Sequence, residues 1–307
     1  MKRDCGHRCE SAALRPLKGD LQGSGIFINF VADLDNNRPT THFDSDDWHL
    51  TVYLSRRRRL ARLSHTSDPT VASRSIFDET GAMEPESLLP AIENAVYSNP
   101  EVLDDYSADI VIAADDTLWM PADLTDDPDM LEQCYLNVYR DADADDLFIE
   151  SEPEAGLLAV SRFSAGLKAF LERTFPGARV SSREMALLRR FRCFPGGGTR
   201  VYVHLEEGEA IVLTFDGKRL LCASTMAAST PEDTLYCAML PIKAYGLDSA
   251  SAEVFLSGDK ELRRESISLM RQYLGCVMHT MLPGGLDDGL PLAAAVCAAR
   301  HFCKNES

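Results

Sequence analysis

Hydrophobic positions recur along the chain with two spacings, and the switch between them happens in the same order twice. Residues 48–55 and 60–66 alternate apolar and polar positions around an arginine-rich turn, which predicts a β-hairpin. Residues 71–77 supply a third strand. A helix fits 85–98, where Leu88, Leu89, Ile92, Ala95 and Val96 form one stripe. Pro85 stands in its first turn, where a missing N–H costs little, while Pro90 predicts a kink or a later start. The run DIVIAA at 109–114 is short, apolar and bounded by acids, as a buried parallel strand would be. A helix over 129–138, a strand over 156–161 and a helix over 164–175 follow. The last carries Leu167, Phe170, Leu171 and Thr174 on one face. Residues 48–175 therefore read β-β-β-α-β-α-β-α.

Ser182 is a good N-cap for a helix over 182–194, which Pro195-Gly196-Gly197-Gly198 would end. The order then restarts. Strands are predicted over 199–205, 210–215 and 219–225, joined by Glu206-Glu207-Gly208-Glu209 and Asp216-Gly217, both good hairpin turns. Thr230 caps a helix with Pro231 at its first position and Asp233 in its first turn. Leu235, Ala238, Met239, Ile242 and Tyr245 make its stripe, Pro241 predicts a kink, and Gly246 ends it. A strand over 252–256, a helix over 259–274, a strand over 276–279 and a helix over 290–302 complete a second β-β-β-α-β-α-β-α. The repetition is one of element order, without obvious residue identity between the two runs.

Two such runs account for most of the 307 residues. Residues 1–46 are irregular apart from one apolar stretch at 26–31. Apolar residues make up 45% and charged residues 26%, the balance of an ordinary globular protein. The net charge of −17 excludes a general nucleic-acid binder and a basic membrane-surface protein. It is unevenly placed: residues 1–156 hold 13 Lys+Arg against 32 Asp+Glu, whereas residues 157–307 hold 18 against 16. No apolar run is long enough to span a membrane and residues 1–20 lack a signal-peptide core, so a cytoplasmic protein is expected. Nine scattered cysteines fit reduced thiols better than a disulfide framework.

Particular segments carry a resemblance. HLTVYLSRRRRLARLS (49–64), DTLWMPADL (116–124), RVYVHLEEGEAIVLTFDGKRLLCASTM (200–226), TPEDTLYCAML (230–240) and EVFLSGD (253–259) together resemble domain-of-unknown-function family 3822 over roughly residues 48–303. This bacterial family has an actin-like ATPase fold. The duplicated order is likewise similar to the actin, hexokinase and heat-shock-chaperone superfamily, a ribonuclease H-like α/β fold with mixed sheets and two lobes. The resemblance implies a first lobe over 47–181, a connecting helix and glycine-rich joint over 182–198, and a second lobe over 199–307, after the 1–46 leader.

In that superfamily two hairpin turns, one from each half, cradle nucleotide phosphates, and a Gly-Gly turn later in the second half receives the adenosine. The resemblance thus points to Arg56, Arg57, Arg58 and Arg59, to Asp216 and Gly217, and to Gly258 and Asp259 as turns facing the cleft. Departures accompany it. The first strand carries no Asp or Gly, His204 and Leu205 stand where an acid and a glycine are expected, and Ser257-Gly258-Asp259 has a single glycine. The reading that follows is a non-catalytic scaffold or adaptor that binds a protein partner and holds no cofactor. The alternative is an ATPase or small-molecule kinase using ATP and Mg²⁺, with Asp115, Asp116, Asp216 and Asp259 as the nearest metal ligands.

Other clusters are weighed on their chemistry. Four guanidinium groups at one hairpin tip can bind phosphates or an acidic partner, or simply be a solvated basic turn. Asp141, Asp143, Asp145 and Glu152 have calcium-loop spacing, but Asp146 occupies the position that needs glycine, which favours an acidic connecting loop. Cys5, His7 and Cys9 lack a fourth zinc ligand, and Cys297, His301 and Cys303 are too distant in sequence to assign to them. The glycine run at 196–198 has no lysine and precedes a strand, so it is not a phosphate loop. Ser257-Gly258-Asp259-Lys260 lacks the companion motifs of penicillin-binding enzymes.

Overall fold

The computed structural model describes residues 47–68, 71–125, 127–194, 196–280 and 289–299. The leader with its 26–31 stretch, the Cys5/His7/Cys9 group, His301, Cys303 and the end of the last helix lie outside the described residues.

The first hairpin forms as its alternation predicts. β1 (Trp48–Leu54) pairs antiparallel with β2 (Arg58–His65), which pairs with β3 (Arg74–Thr80). After α1 (Pro85–Ser98), β4 (Ser107–Ile112) lies parallel to β1. The chain then leaves the sheet. β5 (Asp116–Pro121), α2 (Pro128–Val138), β6 (Leu147–Glu152) and β7 (Leu157–Arg162) form a separate excursion, whose strands make an antiparallel sheet of order β5-β7-β6. A hydrogen bond from Asp115 N to Arg162 O, 2.8 Å, closes its base. α3 (Leu167–Thr174) returns the chain to β8 (Arg179–Ser182), parallel to β4, and α4 (Arg183–Arg192) follows directly.

The second run matches its expectation element by element. β9 (Thr199–Glu206), β10 (Glu209–Asp216) and β11 (Arg219–Ala227) form an antiparallel meander. α5 (Pro231–Ala244), β12 (Glu253–Gly258), α6 (Lys260–Met270), β13 (Cys276–His279) and α7 (Leu292–Ala298) follow. Thr230 and Asp233 form the expected capping box on α5. Sheet order β11-β10-β9-β12-β13 repeats β3-β2-β1-β4-β8 position for position, so the two-lobed, duplicated α/β architecture stands.

One assignment is corrected. The strand at 156–161 and the helix at 129–138 belong to the excursion. The first repeat is completed instead by β8 and by the helix that begins at Arg183. The reason is chemical. β8 is RVSS, and its buried serines turn their hydroxyls to a buried carboxylate: Glu150 accepts from Ser181 Oγ (2.7 Å), Ser182 Oγ (2.6 Å) and Ser182 N (2.7 Å). A strand buried against a carboxylate has no apolar signature. α1 also starts at Pro85 and runs through Pro90, so the later start is not seen.

Three cores result. One face of the first sheet packs Leu50, Val52 and Ile110 against Leu88, Ile92, Phe170 and Leu171 of α1 and α3. The second sheet packs Val201, Val203 and Val254 against Cys237, Ile242 and Ile267 of α5 and α6. Between the two sheets lie α4 and α7, where Leu187, Leu188, Phe191, Ala293 and Ala294 meet Tyr53 and Val111 on one side and Tyr202, Ile211 and Phe215 on the other. Among the described residues no helix is long and apolar enough to cross a membrane.

Candidate functional site

The sandwich of two sheets about α4 and α7 brings the tips of two hairpins together. The first tip is Ser55-Arg56-Arg57, between β1 and β2; the second is Glu207-Gly208, between β9 and β10. A two-residue hairpin loop of this kind needs positive φ at both positions, and Glu207 (φ 56°) and Gly208 (φ 87°) supply it. Glu207 is the one non-glycine residue with positive φ among the described residues. That conformation costs about 1–2 kcal/mol for a residue with a Cβ. Its side chain gives the compensating contact. Glu207 Oε1 accepts a close hydrogen bond from Ser55 Oγ and a second from Arg57 N at 3.2 Å. The donors that the first tip offers are thus held by a carboxylate from the second.

Beneath this contact lies a charged hub. The Arg183 guanidinium, at the start of α4, donates to Glu184 Oε1 (2.7 Å and 2.9 Å) and Glu209 Oε2 (2.7 Å), and lies 3.4 Å from Glu206 Oε2. His204 Nδ1 sits 3.0 Å from Ser257 Oγ and its Nε2 lies 3.5 Å from Glu206 Oε2. Burial alone would raise the Glu206 carboxyl, but the His204 hydrogen bond and the Arg183 charge outweigh it and hold it at about 2. Burial does raise Glu207, with the Ser55 bond offsetting part of the effect. Glu206, Glu207 and Glu209 of one turn are therefore all gripped by residues of the first repeat.

Replacing Glu207 by glutamine keeps the acceptor oxygen and removes a partly buried charge. The raised carboxyl means that ionisation opposes folding as pH rises past the unfolded value of about 4.3. The Gln variant is therefore expected to be at least as stable as the parent at pH 7 and to lose that advantage below pH ~4. Glu207→Ala removes the acceptor that joins the two tips, leaving Ser55 Oγ with Arg58 O and Arg57 N with Ser55 Oγ, and is expected to lose about 0.5–1.5 kcal/mol. Urea unfolding of both variants at two pH values checks this.

Beside the hub opens a cavity of about 870 Å³, lined in part by Arg57, Glu207, Gly258, Lys260, Arg263 and Thr280. Arg57 and Lys260 are exposed and Arg263 is half-buried; none has a carboxylate partner among the described residues. Asp259 caps α6 through Leu262 N (2.8 Å) and its own N–H donates to Leu205 O (2.7 Å). Gly258 has φ 90° and lies against Leu205 with no room for a side chain.

The residues expected at the cleft divide. Arg57, Arg58, Gly258 and Asp259 line this cavity. Arg58 is forked onto Asp78 (2.9 Å and 2.7 Å), which holds the Asp78 carboxyl below its usual range. Arg56 turns to Asp115 at 2.7 Å, and Arg59 is buried against Glu79 (3.5 Å) and Gly81 O (3.2 Å). Asp216 and Gly217 are not brought to the cleft. β10 runs from Glu209 to Asp216, so their turn lies at the far end of that strand, about 23 Å from Glu207. There the Gly217 carbonyl accepts from Arg200. Asp116 is paired with Arg162, and Glu152 is held by Arg189 and Arg192, which takes the last ligand out of the calcium-loop pattern. Among the described residues no group of three His, Cys, Asp or Glu is placed to hold a metal ion. Sequence reasoning missed Glu207 and Arg183 as site residues. The signal available was three glutamates around Gly208, in a turn where Asn-Gly or Asp-Gly is the usual choice.

A family model described as "Protein of unknown function (DUF3822)" matches residues 53–277, which takes in both hairpin tips and the hub. The chain belongs to this family. Among curated proteins no relative matches. Of the solved structures, a protein of unknown function with actin-like ATPase fold from Bacteroides thetaiotaomicron VPI-5482 aligns over 83% of this chain and 96% of its own, with 16% identity and a TM-score of 0.66. A PilM–PilN type IV pilus biogenesis complex aligns over 82% and 98% (12% identity, TM-score 0.44). The cytoplasmic domain of EpsL, from the type II secretion system of Vibrio cholerae, aligns over 85% and 96% (12%, 0.41). The first of these establishes the actin-like ATPase fold for this DUF3822 member; at such identities nothing beyond the fold carries over.

Proposed function

We propose that the protein is a non-catalytic actin-like scaffold that works by binding a protein partner. The observation that carries this reading is the Glu207 carboxylate on Ser55 Oγ and Arg57 N. In the superfamily resemblance those tips would face nucleotide phosphates, and a carboxylate already fills the anion position between them. Opening the tips for a phosphate would expose Glu207 to repulsion from it and leave the Arg183 hub to rearrange.

A second reading, a nucleotide-binding ATPase or small-molecule kinase, is favoured by one observation, the unpaired Arg57, Lys260 and Arg263 around the cavity. Thermal unfolding with ATP or ADP and Mg²⁺ separates the two. A ligand that binds the native state at a hundred times its dissociation constant stabilises it by about 2.7 kcal/mol, a shift of several degrees. The scaffold reading expects no nucleotide-dependent shift. An ADP-dependent shift that Lys260→Ala and Arg263→Ala abolish would establish the second reading instead.

A further inference from the structure

The excursion β5–α2–β6–β7 is the most asymmetrically charged part of the molecule. Residues 115–162 hold 14 Asp+Glu and two basic residues, Arg140 and Arg162. The acids divide by position. Asp115, Glu150, Glu152 and Glu154 are paired with Arg56, Arg189 or Arg192 of the rest of the fold, and Asp116 with Arg162 of β7. Asp123, Asp129, Asp143 and Asp145 are exposed, and none has a basic partner among the described residues.

The same excursion leaves apolar side chains in water. α2 buries Leu131 and Tyr135 against β6 and β7. Met130, Cys134 and Val138 follow one another at every fourth position and so share one flank of the helix. Met130 is 50% exposed, Val138 58%, and Leu124, just before the helix, 50%. A small helix that packs one face and shows methionine and valine on another has an unpartnered surface. Methionine is also a side chain suited to an adaptable contact.

From this combination we propose that the excursion is the docking surface for a basic amphipathic segment of a partner protein, its apolar residues against Met130 and Val138 and its Lys or Arg side chains toward Asp123, Asp129, Asp143 and Asp145. The proposal rests on the scaffold reading and names its partner's chemistry. Charge complementarity selects the occupant. An acidic or nucleic-acid partner would be repelled by this face, and the exposed carboxylates lack the cations that a partner would bring. Phosphates are excluded on the same ground, which separates this surface from the cationic cavity of the cleft.

The test uses the full chain and a fluorescent, short amphipathic helical peptide of lysine and leucine. Binding is expected at about 50 mM salt and should weaken roughly tenfold by about 300 mM, because the exposed charges are screened. A glutamate–leucine peptide of the same pattern should not bind, and a lysine-only peptide should bind at least fivefold less tightly, roughly the share expected of a few apolar anchors. Met130→Ser with Val138→Ser should remove the preference for the leucine-bearing peptide. Asp123→Lys with Asp129→Lys and Asp145→Lys should remove most of the salt dependence. All of these side chains are exposed, so the fold should persist, with Asp129→Lys at the start of α2 lowering the melting temperature by only a few degrees. Equal binding of the lysine-only peptide would reduce the face to a generic acidic cluster and overturn the proposal, as would absence of binding, and those two arms need no variant. Self-association that Met130→Ser abolishes would assign the flank to a second copy and also overturn it. A nucleotide-dependent thermal shift with peptide selectivity intact would sink the scaffold reading and leave this surface standing. Lost selectivity with no nucleotide shift would do the reverse.

Discussion

Replacing Arg183 by methionine is expected to destabilise the fold by about 3–5 kcal/mol. That is a large share of the ~5–15 kcal/mol that holds an ordinary domain folded. Arg183 and Glu184 are each only 1% exposed, and among the described residues the guanidinium is the cation paired with this carboxylate, which water does not reach. Burial already raises the Glu184 carboxyl, and Arg183 supplies the opposing pull. Methionine fills similar volume but strands that charge, and it releases Glu206 and Glu209 on either side of Glu207. Exchanging both members, Arg183→Met with Glu184→Leu, should recover most of the loss, because a buried pair gains little over well-packed apolar groups. Urea unfolding reads both; a loss below ~1 kcal/mol for the single variant would mean that water reaches the hub. The acid limb gives a second readout. Glu206 titrates at about 2 in the folded chain, below its unfolded value of about 4.3. Its contribution is therefore present above pH ~4.3 and lost as pH falls toward 2. Without Arg183 the folded value moves up, and acid unfolding should begin at higher pH.

Gly258→Ala is expected to cost about 3 kcal/mol or more, enough to lower the yield of folded protein. Two independent penalties add. The backbone there has φ 90°, and an added Cβ would lie 2.7 Å from the Leu205 carbonyl carbon and 2.8 Å from its nitrogen, closer still to the oxygen. These are backbone atoms of β9, paired in register with Gly258 and tied by Asp259 N to Leu205 O, so neither strand can yield without losing a ladder bond. Gly246→Ala is the control. Its φ is 65° with open space around it, so only the conformational penalty of ~1–2 kcal/mol remains. Comparing the two by thermal unfolding isolates the clash.

The architecture was legible where physics leaves a periodic trace. β1, β9 and β12 are apolar runs, α5 and α6 carry caps and stripes, and the whole second repeat follows from them. The first repeat was harder to parse because burial there is not always apolar. β8 hides serines around Glu150, and β6 interrupts its apolar residues with the Glu150 that they serve. The candidate site was half legible. An arginine run at a hairpin tip pointed to the cleft, but sequence cannot say which of four neighbours finds a carboxylate. Asp78, Asp115 and Glu79 engage three of them and leave Arg57 to the cavity. The contacts of Glu207 with Ser55 and of Arg183 with Glu206 and Glu209 could not be read from spacing, since they exist only once both sheets are folded around α4.

The position of α7 has a consequence for how the chain is made. This helix, residues 292–298, packs between the two sheets and covers β1 and β4 beside α4. Tyr53 and Leu60 of the first repeat therefore wait for the last part of their cover until a segment translated more than two hundred residues later. The α1/α3 side of the first sheet can close as soon as β8 emerges, but its other face has only α4 against it until residue 292 emerges. Premature termination before residue 292 would yield a first repeat with one finished side and one half-covered, adhesive side, the kind of product that chaperones retain and proteases remove.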